Sequence, residues 1–236
     1  NAECSAVFVT DYGGIPNNIE AIKKIIGKDG VLFVDAAPSL GTFINGKFSG
    51  FGADFCCWSF DAMKLLVCGE GGGVYIKDHR IMEKFKEYTY LGLSATEKSG
   101  LDRSKDGDIW WEYDIKLAGS RSVFTNVNAA IGLPSVTQLN KKIERRQDIR
   151  TRYLNALENM EGISVLRQEN TNISYSNYFF SVQTEQRNEL AIFLKENGVY
   201  STFRYFPTHR IPFFAKYSTD CTKCDIFSNT SLNIPI

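Results

Sequence analysis

Ala6-Val7-Phe8-Val9-Thr10, then Asn17-Asn18-Ile19-Glu20-Ala21-Ile22-Lys23-Lys24-Ile25-Ile26, then Val31-Leu32-Phe33-Val34-Asp35 are the stretches that decide the fold. The first is β-rich, the second carries apolar residues at helical spacing behind an asparagine cap, and the third is a short apolar run ending in an acid. Strand, helix and strand in that order predict a βαβ unit, hence an α/β protein with a mostly parallel sheet and a right-handed crossover. Asn45-Gly46, between Thr42-Phe43-Ile44 and Lys47-Phe48, is a hairpin-turn signal. Residues 54–59 and 73–76 supply further strands, 80–91 a helix, and the Ser-, Lys-, Asp- and Gly-rich stretch 94–107 a polar loop. From Asn126 to about Met160 the pattern is helical with a charged face, and Pro134 predicts a kink or break there. Beyond it, strands at 163–165, 178–182 and 199–205 and a helix at 187–196 capped by Asn197-Gly198 predict a small α+β layer. The division expected is a large domain over 1–133, a connecting helix over 134–160 and a small C-terminal domain over 161–236. Asn1 in first place and the strand-like ending Leu232-Asn233-Ile234-Pro235-Ile236 suggest a piece of a longer chain.

With 236 residues the chain is long enough to bury a core, and 27 Lys+Arg against 27 Asp+Glu leave no overall field to hold nucleic acid or an anionic membrane. The apolar runs fall far short of a membrane span. Six cysteines without a framework of spacings suit a reducing cytoplasm; Cys56 and Cys57 are adjacent in a strand and point to opposite faces. Cys221-Thr222-Lys223-Cys224 has the spacing of half a zinc site, but there is no second such pair and only His79 and His209 as histidines, so no metal is expected. Trp110-Trp111-x-Tyr113 reads as a domain-interface core ahead of a substrate-facing aromatic patch, and the pair Phe213, Phe214 as core.

The chemistry gathers near the middle. Phe55-Cys56-Cys57-Trp58-Ser59-Phe60-Asp61-Ala62-Met63-Lys64 reads as a buried strand running into a turn, with Gly69-Glu70-Gly71-Gly72-Gly73 directly after. A lysine at the end of a buried strand can become a nucleophile, because desolvation disfavours its ammonium. Asp35 and Lys64 together are the pair a pyridoxal-phosphate (PLP) enzyme needs, a carboxylate for the pyridinium nitrogen and an amine for the Schiff base. The glycine patch lacks phosphate-loop spacing and reads as a turn with close backbone approach. Plainer readings stand beside these: Lys64 on the surface, Asp35 capping a helix from Ala36, and Ser59 bonded to its own backbone.

Val34-Asp35-Ala36-Ala37 with Leu40-Gly41, Ser59-Phe60-x-x-x-Lys64 with Glu70-Gly71-Gly72, Asn128-Ala129-Ala130-Ile131-Gly132-Leu133 with Gln138-Leu139 and Arg145-Arg146, and Tyr205-x-Pro207-x-His209 occur in one order along the chain. That ordered set resembles the DegT/DnrJ/StrS-type sugar aminotransferases. The resemblance implies a type I PLP-dependent transferase fold, pyridoxal 5'-phosphate as cofactor, and a homodimer with shared active sites. It implies that Lys64 carries the cofactor, Asp35 holds its ring nitrogen protonated and Ser59 binds its phosphate. Arg121 falls where relatives place an asparagine that reaches the phosphate of the neighbouring subunit, and Pro38 stands where many have a glutamine near the ring. His209 and Tyr205 are candidates for touching substrate, His209 equally for holding a loop. The activity implied is transfer of an amino group, from glutamate or glutamine, to a keto group of a nucleotide-linked sugar or a cyclitol, since relatives with histidine in place of Lys64 remove a hydroxyl instead. Another type I reaction, dehydration or elimination, and a non-catalytic PLP-binding protein are the rival readings.

Overall fold

Alternation along Val31–Asp35 buries Leu32 and Val34 on one side and sends Phe33 and Asp35 to the other, and the first sheet is organised around that strand. The computed structural model describes residues 5–93, 109, 111–112, 114–166 and 170–236. The expected polar loop at 94–107 and the aromatics Trp110 and Tyr113 lie outside them. The chain gathers into two compact units.

The first unit comprises Asn1–Thr10, Asn17–Ala37 and Gly50–Thr137. In it β1 (Ala6–Thr10), α1 (Ile19–Ile26) and β2 (Val31–Asp35) form the expected βαβ unit, β1 and β2 running parallel with Thr10 beside Asp35. Asn18 starts α1 because its side-chain oxygen accepts from the Ala21 N–H at 3.0 Å. Gly27, at φ 73°, ends it. Ile19, Ile22 and Ile26 of α1 pack with Leu32, Val34, Ala53 and Cys56 as the core of one sheet face. On the other face Phe8, Phe33 and Phe55 stack in a ladder, with ring centroids 4.3 and 4.4 Å apart.

A hairpin, β3 (Phe43–Ile44) and β4 (Lys47–Phe48), intervenes in sequence before β5 (Phe55–Ser59) joins β2 in parallel and β6 (Gly72–Ile76) pairs antiparallel with β5. The sheet order is β1-β2-β5-β6. Next come α2 (His79–Thr89), capped by Asp78, and α3 (Asn126–Thr137). Helical geometry continues through Pro134; the break falls at Gln138, after which α4 (Leu139–Leu157) begins. Trp111 is 61% exposed, against the expectation of a core residue.

The second unit comprises Asp11–Pro16, Pro38–Ser49 and Gln138–Ile236. Asn45 and Gly46 take φ of 50° and 75°, which is how the β3–β4 turn closes so tightly. β3 also pairs with β8 (Ile173–Ser174), a strand the sequence pattern does not signal. The hairpin belongs here through buried polar contacts. Asp11 is fully buried and accepts from Ser39 Oγ at 2.7 Å and from Ser49 Oγ, while Thr42 Oγ1 donates to the Gly14 carbonyl at 3.1 Å and accepts from the Ser176 N–H at 3.0 Å.

The remaining sheet is antiparallel, in the order β10 (Ser231–Ile234), β9 (Phe180–Gln183), β7 (Ser164–Val165). Phe180, Val182 and Leu232 form its core with Tyr153, Leu154 and Leu157 of α4 and Leu190, Ala191 and Leu194 of α5 (Arg187–Glu196). Residues 199–205 form no strand; only Thr202 bridges to Asn233, on the outer edge of β10. A last helix, α6 (Thr222–Thr230), follows a 3₁₀ turn carrying Phe213 and Phe214. These two phenylalanines are 81% and 38% exposed and pack edge-to-face on each other, so they are not core. Among the described residues no helix is long and apolar enough to cross a membrane.

Asp54 ties the first unit's edge together: Lys23 Nζ donates to it at 2.7 Å and the Leu32 N–H at 2.8 Å. Burial pushes its carboxyl up, but those bonds and the charges of Lys23 and Lys77 outweigh burial and hold it below its ordinary value. A carboxyl depressed on folding adds stability above its unfolded pKa of about 4, and that stability is lost as pH falls through the lower folded value. Asp54→Asn should therefore lower the urea midpoint at neutral pH, and the gap from wild type should close in acid. A gap that persists unchanged at the acid end would exclude this role.

Candidate active site

The parallel register sets Asp35 beside Cys57, and the two-residue period puts Asp35, Cys57 and Ser59 on the sheet face that carries the phenylalanine ladder, away from α1. Asp35 closes β2 and Ser59 closes β5, both at the carboxyl ends of parallel strands, where open α/β sheets place their ligands. Asp35 caps no helix. Its Oδ1 accepts from the Ala37 N–H at 3.0 Å in a turn, while the Ala36 N–H donates to the Cys57 carbonyl at 2.9 Å. Burial first, and then the Asp35 carboxylate, pushes the Cys57 thiol up. Ser59 Oγ accepts from the Asp61 N–H at 3.3 Å, which leaves its hydroxyl hydrogen to donate.

Lys64 lies five residues beyond Ser59 in a turn whose shape is closed locally. Its N–H donates to the Asp61 carbonyl at 3.0 Å, and Asp61 Oδ1 accepts from the Met63 N–H at 2.8 Å. The Phe60 N–H donates to the Gly71 carbonyl and the Cys68 N–H to the Phe60 carbonyl, each at 2.9 Å, so the segment returns to its own base. Gly71, at φ 134°, is required there, since a Cβ would come within 2.4 Å of the Phe124 ring. The glycine patch is thus a turn only as far as Gly71; Gly72 and Gly73 already open β6, paired with Ser59 and Trp58.

One face of α3 clamps this loop, a role the sequence reading does not assign. Asn128 Nδ2 donates to the Cys68 carbonyl at 2.9 Å, and Ser135 Oγ accepts from the Val67 N–H at 3.1 Å. Gly132 lets Cys68 approach, because a Cβ there would meet its sulfur at 2.5 Å. Asparagine, glycine and serine at 128, 132 and 135 share a helix face, a spacing visible in the sequence. Arg121 sits in an exposed segment running beside the end of α2: it bridges Tyr90, the Ser120 N–H donates to the Tyr88 carbonyl at 2.8 Å, and the Ser122 N–H to the Thr89 carbonyl at 2.9 Å.

His209 and Tyr205 belong to the second unit. His209 Nε2 is 2.9 Å from Asp225 Oδ1 on α6, and Arg210 binds the same carboxylate. The His209 bond foremost holds the Asp225 carboxyl below its ordinary value, against desolvation and with help from Arg210. His209 is therefore tied to α6. Tyr205 is exposed, and its neighbour Arg204 donates to the Tyr178 hydroxyl at 3.1 Å. Pro38 contributes only its carbonyl, which accepts from Ser176 Oγ at 3.4 Å.

A carboxylate, a hydroxyl and a lysine thus leave one end of an α/β sheet. The model of the DegT/DnrJ/EryC1/StrS aminotransferase family matches residues 1–236. The dTDP-4-dehydro-2,3,6-trideoxy-D-glucose 4-aminotransferase of Saccharopolyspora spinosa is 32% identical over 219 residues, 92% of this chain and 56% of that relative. Among solved structures, the aminotransferase TlmJ of Streptoalloteichus hindustanus superposes with a TM-score of 0.86 at 29% identity, over 98% of this chain and 60% of that one. A putative sugar aminotransferase of Streptococcus pneumoniae in its PLP form gives 0.81 at 21%, over 98% of this chain and 63% of that one. The chain belongs to the DegT/DnrJ/EryC1/StrS aminotransferase family. It spans little more than half the length of the curated relative.

Gly71→Ala should destabilise the fold by about 1–3 kcal/mol, since it forces a side chain into a positive-φ position and against Phe124. Urea unfolding checks this. Adding Phe124→Ala should recover only the part due to crowding, and an unshifted Gly71→Ala midpoint would refute the account.

Proposed function

We propose that this chain is part of a PLP-dependent aminotransferase that moves an amino group from an amino acid, glutamate or glutamine, to the keto group of a nucleotide-linked sugar or a cyclitol. The observation that carries the reading is the emergence of Asp35, Ser59 and Lys64 from the carboxyl ends of β2 and β5, in a chain of this family. The donor set suits the cofactor. A carboxylate can keep a pyridine nitrogen protonated, a hydroxyl with a hydrogen to give can meet a phosphate oxygen, and a primary amine can attach a carbonyl carbon. Bound pyridoxal phosphate supplies an electron sink for the carbon that exchanges the amino group.

In this reading Asp35 holds the ring-nitrogen proton. Lys64 Nζ would hold the cofactor and, as a free amine, would be the acid and base that moves a proton at the reacting carbons. Ser59 anchors the phosphate. His209 and Tyr205 meet the sugar substrate, His209 held in place by Asp225. The large cofactor domain over 1–133, the linking helix over 134–160 and the small domain over 161–236 belong to the same proposal. So does a cytoplasmic homodimer in which Arg121 reaches the neighbouring subunit's cofactor phosphate. Apolar side chains left exposed on α3, Val127, Ile131, Leu133 and Val136, support an interface there.

Incubating the protein with pyridoxal phosphate and borohydride, then mapping modified peptides, tests the assignment. One reduced adduct is expected, at Lys64, with a visible band that borohydride bleaches. Lys64→Ala should lose both, and Lys84→Ala should keep both. Adducts spread over surface lysines, or retained in Lys64→Ala, would overturn it.

A further inference from the structure

Cys221 and Cys224 straddle the first turn of α6, and neither is used by the aminotransferase reading. Cys221 is the N-cap: its carbonyl accepts the first helical bond, from the Asp225 N–H at 3.0 Å, so its Cα already lies on the helical path. Residues three apart on that path have Cα atoms about 5 Å apart, from a 1.5 Å rise and a 2.3 Å radius. That lies inside the range of roughly 4.4–6.8 Å that a disulfide spans. Side chains in a helix lean towards its N-terminus, so the Cys224 thiol leans towards Cys221.

The cap position leaves the Cys221 sulfur uncommitted to the helix end. Asp220 does the capping, accepting from the Thr222 N–H at 3.1 Å and from Thr222 Oγ1 at 2.6 Å, and Cys221 makes no side-chain cap bond. Its sulfur has only a 3.7 Å contact to Thr219 Oγ1, and that of Cys224 only a 4.0 Å contact to Ser228 Oγ. Cys224 is exposed and Cys221 partly buried. The other described cysteines are differently placed, Cys56 and Cys68 being buried and Cys57 lying on a sheet face remote in sequence.

We propose that Cys221 and Cys224 form a reversible dithiol–disulfide pair that exchanges with small-molecule disulfides of the glutathione class. The Cys224 thiolate attacks one sulfur of the oxidised disulfide, forming a mixed disulfide and releasing one thiol. The Cys221 thiolate attacks the Cys224 sulfur of that mixed disulfide, closes the Cys221–Cys224 bond and releases the second thiol. The protein gives up two hydrogens, two electrons with two protons, and the oxidant is reduced to two thiols. The new bond pins the turn next to Asp225, the carboxylate that holds His209 and Arg210.

The test is equilibration of the full chain across a series of reduced-to-oxidised glutathione ratios, followed by acid quench, alkylation and mass spectrometry. The expected result is joint loss of alkylation at Cys221 and Cys224 with no added glutathione, reversed by dithiothreitol. The ratio of oxidised to reduced protein should scale with oxidised glutathione over the square of reduced glutathione, because closing the bond releases two thiols. Cys221→Ser should instead keep glutathione attached at Cys224, with a first-power dependence. Three results would overturn the proposal: full alkylation of both cysteines throughout, a link between two chains, or protection that a chelator removes, which would assign the pair to a metal.

Discussion

The parallel pairing of β2 with β5 is the constraint on which the rest of this chain depends. One register, Phe33 on Phe55 and Asp35 on Cys57, stacks the aromatic ladder and brings the acid and Ser59 to one face and one end of the sheet. A slip of one residue would turn Asp35 into the α1-packed core and expose Leu32 and Val34, so core packing and site geometry are enforced together. The apolar face opposite Asp35 therefore fixes where Asp35 points.

From that strand end the chain must make an irregular turn without losing position. Backbone groups in such a turn need partners or water. Here Phe60, Asp61, Cys68 and Gly71 supply them from within, and Asn128 and Ser135 of α3 supply two more. Lys64 is thus held by a loop whose own hydrogen bonds are short-range and whose clamp comes from 60 and 68 residues away in sequence. Gly132 and Gly71 serve the same end by letting Cys68 and Phe124 come close, so the loop that carries Lys64 is positioned by its neighbours' backbone.

Locally coded features were the legible ones. Period-two and helical patterns reveal β1, α1, β2, β5 and β6; Asn45-Gly46 reveals its hairpin; Asn197-Gly198 reveals the end of α5. What the pattern misses is set at long range. Nothing near residues 38–49 announces that they join the second unit, because the decision rests on Asp11 with Ser39 and Ser49 and on Thr42 with Ser176. Val199–Tyr205 has strand composition but meets the outer edge of β10 at a single bridge, Thr202 to Asn233. Phe213 and Phe214 read as core from hydrophobicity alone, although a 3₁₀ turn can expose such rings by packing them on each other. The candidate residues Asp35, Ser59 and Lys64 were legible because strand ends and turns are local; the clamp around Lys64 was not, because only the fold brings α3 to it.

Charge in the second unit follows the same logic of buried partners. Arg146 donates to the Asn177 and Tyr178 carbonyls at 2.9 and 3.0 Å, and Arg150 to the Leu166 carbonyl at 3.2 Å, so each guanidinium meets backbone oxygen. Burial lowers both from their ordinary value, yet a guanidinium starts so high that it keeps its charge at neutral pH. Lysine in either place would have fewer donors and a charge more easily lost to burial. Arginine on one helix face thereby ties the Leu166, Asn177 and Tyr178 carbonyls to α4, just as asparagine and serine on another helix fix the loop of Lys64. In both units helices orient loops by reaching their carbonyls and N–H groups, and in the first unit the loop held in this way carries Lys64.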